Sequence, residues 1–89
     1  MINTVLLIGK VKGIEFNENS ATLSLEVKRP YKNENGEYDS DLFSIETWKG
    51  SVEVVKEYCA VDKNISIRGR LEKTNDGNLK LIAEKIMLV

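Results

Sequence analysis

The residues of this chain that are best suited to bind a ligand are aromatic rings that stand beside cationic side chains. Trp48 is followed by Lys49, and its neighbours at alternate positions, Glu46 and Ser44, are polar. A solvent-facing tryptophan on a strand can stack on a nucleobase while an adjacent lysine contacts a phosphate. The same pattern also fits a tryptophan that packs on a loop or on a subunit interface.

A second cluster of this kind lies between Lys28 and Lys32. It holds Lys28, Arg29 and Lys32 around the ring of Tyr31, which is the combination that binders of single strands use. A soluble turn with a half-buried tyrosine would have the same composition. Tyr38 could extend this surface, but its acidic neighbours, Glu37, Asp39 and Asp41, would repel phosphate.

The remaining candidate phosphate contacts are Lys10, Lys12, Arg68, Arg70 and Lys73. Each of them taken alone is typical of solubilising charge. The charges are nevertheless segregated, because residues 1–13 and 28–32 contain only cations whereas residues 34–46 contain five acids and no cation. A net charge of −1 argues against a nucleic-acid partner. Its distribution along the chain still permits a positively charged groove.

The composition excludes several classes of site. The chain has no histidine and one cysteine, Cys59, so a Cys/His zinc site, an intrachain disulfide and a Ser-His-Asp or Cys-His centre cannot form. The six glycines are scattered and form no phosphate-binding loop. The early apolar run, Val5 to Ile8, is too short for a signal segment or a membrane span. We therefore expect a cytoplasmic protein that is not an enzyme and has no metal, cofactor or membrane partner.

Hydrophobic alternation predicts the elements that must position these residues. Strands are predicted over Ile2–Val11, over Ala21–Lys28 with Pro30 as its end, over Asp41–Trp48, around Ile65–Leu71 and over Leu79–Val89, the last with a bulge near Ala83 to Ile86. Ser51 is a plausible N-cap of one amphipathic helix that ends near Ala60 to Asp62. Asn75–Asn78 predicts a hairpin turn.

A chain of 89 residues forms a single domain, residues 1–89. Three strands, one helix and two strands are the order of the OB fold, so we predict an all-β, five-stranded Greek-key barrel with a short helix between strands three and four. The alternation predicts inward-facing side chains at Ala21, Leu23, Leu25, Val27, Phe43, Ile45, Ile65, Ile67 and Leu71. Tyr58 and Cys59 are expected on the helix face that caps the barrel. The run Val5 to Ile8 implies burial on both faces, which favours self-association.

Several segments together resemble the bacterial and phage-type single-stranded DNA-binding proteins. They are Ile2–Gly9, Trp48-Lys49 with Val52–Val54 and Glu57-Tyr58 after it, and Ile67–Leu71. The resemblance covers essentially the whole chain. It implies an OB fold, sequence-independent binding of single-stranded DNA, and a homodimer or homotetramer whose first strands pair.

The resemblance also implies stacking aromatics, of which Trp48 matches one and Tyr31 lies near another. At the start of strand three the chain has Leu42 where the family often has an aromatic residue, and the turn Asn75–Asn78 has none. Asp62 replaces the usual glycine after the helix. Members of the family commonly continue into an acidic tail, whereas this sequence ends at Val89, so we do not expect replication enzymes recruited by such a tail as partners.

The leading hypothesis is an oligomeric, nucleoid-associated binder of single-stranded DNA in replication, recombination and repair. Its predicted DNA-binding residues are Trp48, Tyr31, Lys28, Arg29, Lys32, Lys49, Arg68, Arg70, Lys73, Lys10 and Lys12. An alternative is an OB-fold adaptor of a primosome or mobile-element complex that binds protein first and DNA weakly. A module that binds oligosaccharides is less favoured, because such modules usually act outside the cell.

Overall fold

The computed structural model describes all residues, 1–89, as five strands and one short helix. The elements are β1 (Val5–Phe16), β2 (Ala21–Lys32), β3 (Tyr38–Glu46), α1 (Val52–Tyr58), β4 (Asn64–Lys73) and β5 (Leu79–Leu88). The strands close into a barrel in the order β1-β2-β3-β5-β4, in which only β3 and β5 are parallel. The predicted five-stranded barrel, with its helix between strands three and four, is confirmed.

The barrel encloses one hydrophobic core built from alternate residues of its strands. Its largest fully buried side chains include Leu23, Leu25, Ile45, Ile65 and Ile67. Val55 of helix α1 and Cys59, directly after the helix, also belong to this core, while Phe43 and Tyr58 are half-buried and pack against it. Period-two alternation therefore predicted the inward face of the strands correctly.

Strand β1 is displaced relative to the predicted Ile2–Val11, because it pairs with two different strands. Its first half pairs with β4 from Val5 to Lys10, and β2 joins it only from Lys10 to Phe16. Strands β1 and β2 approach closely next to Lys10, where their pairing begins. A Cβ atom at Gly9 would collide there with the carbonyl oxygen of Glu26. Glycine is therefore required at this position.

Burial of the run Val5 to Ile8 on both faces is not observed within one chain. Leu6 and Ile8 are 67% and 62% exposed on the outer face of β1. Nothing in a single chain covers that face, because the barrel interior takes the side chains of the alternate residues only.

Pro30 does not end β2 as predicted. The strand continues to Lys32, and the ladder with β3 is irregular between Lys28 and Lys32, so the missing N–H of Pro30 falls where no regular pair forms. The loop between β2 and β3 is accordingly shorter than expected. Strand β3 starts at Tyr38 and ends at Glu46, which leaves Trp48 beyond the strand.

The predicted helix is real but shorter, because it ends at Tyr58. Ser51 occupies the N-cap position, yet its hydroxyl makes no capping bond to the helix. Asp62 adopts a left-handed conformation with φ of 73°, as a replacement for glycine must.

The predicted irregularity of β5 is confirmed, since the register with β4 shifts between Arg68 and Gly69, opposite Lys85 and Ala83. No helix of this structure is long and apolar enough to cross a bilayer.

Candidate nucleic-acid interface

The long hairpin of β2 and β3 carries the predicted cluster between Lys28 and Lys32. Its turn is fixed by Asn33, whose side-chain oxygen accepts hydrogen bonds from the backbone N–H groups of Asn35 and Glu37 at 2.9 and 3.0 Å. Gly36 completes the turn with φ of 77°, a conformation that favours glycine. The hairpin therefore presents its side chains on a defined backbone.

Two tyrosines are exposed on this hairpin. Tyr31 is 61% exposed and Tyr38 is 49% exposed, and the Nζ atom of Lys32 lies 5.9 Å from the centre of the Tyr38 ring. An exposed ring with a cation beside it can stack on a base while the ammonium group contacts the backbone. Tyr38, which the sequence ranked low because of its acidic neighbours, therefore stands beside Lys32 in the folded hairpin.

Trp48 lies in the turn between β3 and α1, half-buried and packed against the core. The turn is held on both sides: the N–H of Ser51 donates to the carbonyl of Trp48 at 3.1 Å, and the N–H of Gly50 donates to the carbonyl of Asn19 at 2.6 Å. Lys49 in the same turn is exposed. The ring can thus offer only part of its surface to a ligand.

An apolar groove that the sequence did not reveal separates β3 from the β4–β5 hairpin. Strands β3 and β5 pair only at Ile45 with Leu81 and at Glu46 with Ile82, and they diverge beyond this point. The opening has a volume of about 290 Å³, and its walls are Leu42, Phe43, Ser44, Leu71, Leu79 and Leu81. The sequence predicted Leu71 to face inward into the core, but Leu71 is 38% exposed and lines this groove, where the barrel is open.

Three of the predicted phosphate contacts are engaged by carboxylates of the chain. Arg29 donates two hydrogen bonds to Asp41 at 3.0 and 2.9 Å, and this contact raises the pKa of Arg29 and lowers that of Asp41. Arg70 contacts Glu72 at 2.8 Å and Glu84 at 3.2 Å. The hydrogen bond to Glu72 is the main cause of the raised pKa of Arg70. Lys12 lies 3.6 Å from Asp62.

The other predicted cations make no salt bridge in the structure, but they do not form one continuous patch. Lys10 and Lys28 line a polar depression on β1 and β2 together with Glu26 and Asn64. Arg68 lies opposite Leu6 on one side and Lys85 on the other, on the outer face of the β1-β4-β5 sheet. Lys32 extends from the β2–β3 hairpin and Lys73 ends β4. The structure therefore places Lys28, Tyr31 and Lys32 along one strand, β2, and leaves Arg68 on the β1-β4-β5 sheet.

A family comparison decides what kind of protein carries this barrel and hairpin. Residues 2–80 match the model of the single-strand binding protein family. The chain belongs to this family.

Individual relatives in the single-strand binding protein family support the assignment. The chain is 31% identical over 84 residues to a single-stranded DNA-binding protein of Streptococcus mutans, covering 88% of this chain and 51% of the relative. It is 30% identical over 96 residues to single-stranded DNA-binding protein 1 of Clostridium acetobutylicum, covering 96% of this chain and 87% of the relative. The chain thus spans about half the length of the streptococcal relative.

Solved structures of single-strand binding proteins share the fold. An SSB of Plasmodium falciparum, determined in complex with single-stranded DNA, superposes with a TM-score of 0.71 at 16% identity, covering 100% of this chain and 96% of the other. At that level of identity the similarity concerns the OB-fold barrel.

Proposed function

We propose that this protein binds single-stranded DNA without reading its sequence. The observation that carries the proposal is the β2–β3 hairpin, which holds the exposed rings of Tyr31 and Tyr38 with Lys28 and Lys32 along the same strands in a chain of the single-strand binding protein family. Stacking on an aromatic side chain contributes about 1–3 kcal/mol per base and tolerates every base. The side chains of Lys28 and Lys32 contact the phosphate backbone of the DNA.

The apolar groove beside β3 extends this surface. Leu42, Leu71 and Leu79 are exposed there, and a base that leaves water can pack against their side chains. Trp48 contributes the exposed part of its ring. The proposed set of phosphate contacts is completed by the remaining cations, which are Lys49, Lys73, Lys10, Lys12, Arg29, Arg68 and Arg70. Nothing in the geometry favours the adaptor hypothesis over this one.

A second copy of the chain completes the proposal. Residues 5–9 of β1 pair with β4 along one edge, while β2 begins to pair at Lys10, so the other edge of this segment is unpaired. Leu6 and Ile8 expose apolar side chains on the same stretch. We infer a homodimer or homotetramer assembled through β1, because an unpaired and apolar strand edge pairs readily with another strand.

Single-stranded DNA arises in replication, recombination and repair, and we propose that the protein acts there, in the cytoplasm and on the nucleoid. The direct test is a titration of a fluorescein-labelled oligo-dT with the protein, followed by anisotropy at several salt concentrations. The affinity should fall as salt rises, with a log–log slope of about −0.7 for each phosphate neutralised. Anisotropy is the better signal than intrinsic fluorescence, since the single tryptophan, Trp48, is half-buried. An unchanged anisotropy at low salt, with the oligomer intact, would contradict the proposal.

A further inference from the structure

The Arg29–Asp41 contact has a geometry that a phosphate group would reproduce. The Nε atom of Arg29 donates to Oδ2 of Asp41 at 3.0 Å and the Nη2 atom donates to Oδ1 at 2.9 Å. A guanidinium fork binds carboxylates and phosphates in this same two-bond manner. Asp41 therefore occupies the donors with which Arg29 would hold a DNA phosphate.

Both partners of the contact are accessible to a ligand. Their side chains are each 41% exposed, and they belong to the hairpin that also carries Tyr31 and Lys32. Asp41 lies opposite Val27, two residues before Arg29 on β2, so the pair is diagonal across the hairpin. The turn of the hairpin is held independently by Asn33. The contact is thus not needed to form the turn.

We propose that Asp41 is a built-in competitor of DNA phosphate at Arg29 and limits the affinity of the protein for single-stranded DNA. This inference rests on the proposed function. DNA that reaches the hairpin must displace the carboxylate before Arg29 can contact its backbone. The hydrogen bonds from Arg29 lower the pKa of Asp41, so the carboxylate stays charged and the competition persists at neutral pH.

The test compares Asp41→Asn with Asp39→Asn in the anisotropy titration. Both variants remove one negative charge from β3 two residues apart, but Asp39 accepts a hydrogen bond from Asn33 and pairs with no arginine. Asp41→Asn should bind oligo-dT about fivefold more tightly at low salt, the factor that an exposed ion pair of good geometry supplies. Its salt slope should steepen by about 0.7, because one more cation neutralises a phosphate. Asp39→Asn should show a smaller gain and an unchanged slope.

Adding Arg29→Ala to each variant identifies the group that is released. The gain of Asp41→Asn should disappear in the double variant with Arg29→Ala, whereas the gain of Asp39→Asn should remain. Equal gains for Asp41→Asn and Asp39→Asn, or weaker binding by Asp41→Asn with an unchanged thermal midpoint, would overturn the inference.

The two proposals fail in different ways. If the wild-type protein does not bind oligo-dT, the proposed function fails and this inference fails with it. If the wild type binds with the expected salt dependence and Asp41→Asn does not exceed Asp39→Asn, only the role of Asp41 is refuted. Circular dichroism and the thermal midpoint of each variant show whether the barrel is intact.

Discussion

The hydroxyl oxygens of Thr47 and Ser51 lie 2.6 Å apart in the interior, at the junction between β3 and α1. The Thr47 hydroxyl also donates to the carbonyl of Ala21 and accepts from its N–H, each at 2.8 Å. Because Thr47 has only one hydroxyl proton, Ser51 must be the donor in the contact between them. This network ties β3 to β2 directly before Trp48 and explains why the hydroxyl of Ser51 does not cap the helix.

Thr47→Val should destabilise the protein by about 1–3 kcal/mol, because it leaves the buried N–H of Ala21 without its side-chain partner. Thr47→Ser is the matched control, since it keeps the hydroxyl and loses only a methyl group. Urea denaturation measures the free energy of unfolding of both variants. Equal values for the two variants would show that the hydroxyl does not stabilise this junction.

Tyr31→Ala and Tyr38→Ala should each weaken the binding of oligo-dT by about 1–3 kcal/mol through the loss of one stacked base. Both rings are exposed, so the stability of the barrel should change little. Phe16→Ala is the control: Phe16 is 47% exposed and pairs with Ala21 at the start of β2, the opposite end of that strand from Tyr31 and the hairpin turn. If all three variants lost the same amount of affinity for oligo-dT, the hairpin would not be part of the proposed site.

Leu42→Gln should weaken DNA binding about threefold to tenfold, because it places a polar amide in the apolar groove beside β3, where a base would pack. Leu42 is 64% exposed, so its replacement should leave the thermal midpoint nearly unchanged. Val61→Gln, at an exposed apolar residue after the helix, should have no effect on binding. An affinity for oligo-dT that stays at the wild-type value in Leu42→Gln would show that DNA does not use the groove.

The double variant Leu6→Ser/Ile8→Ser should shift the protein towards monomers, because it removes both apolar side chains from the exposed face of β1. Sedimentation velocity over a range of concentrations measures the distribution of species. Val61→Ser serves as the control for the loss of an exposed apolar side chain elsewhere. A wild-type protein that is monomeric at micromolar concentration would refute assembly through this strand.

Burial raises the pKa of the Cys59 thiol above its ordinary value of 9.0, and the nearby charge of Lys63 opposes the shift only partly. The folded protein thus holds the thiol proton more tightly than the unfolded chain does. The resulting stability is complete below the thiol pKa of the unfolded chain and is lost as the pH rises through the folded value. The wild type should therefore lose more stability between about pH 8 and 10 than Cys59→Ala does. Thermal midpoints over this range measure the difference, and parallel curves for the two proteins would contradict it.

The alternation of polar and apolar residues determined the order of the elements and the bulge in β5. It also determined the inward-facing core residues Leu23, Leu25, Ile45, Ile65 and Ile67. A period of two could predict these features because it depends on local backbone geometry alone. The alternation also placed Lys28, Tyr31 and Lys32 on one strand, although the faces that their side chains share depend on the irregular ladder between Lys28 and Lys32. Pro30 was misread because whether an N–H is needed depends on the partner strand.

Only the tertiary structure decided what the side chains meet across strands. Asp41 lies twelve residues from Arg29 in the sequence and binds it because of the register of the hairpin. The groove between Leu42 and Leu79 exists because β3 and β5 pair over two positions and then diverge. Charge pairing, strand divergence and an uncovered edge are properties of contacts between distant segments, and no local pattern in the sequence encodes them.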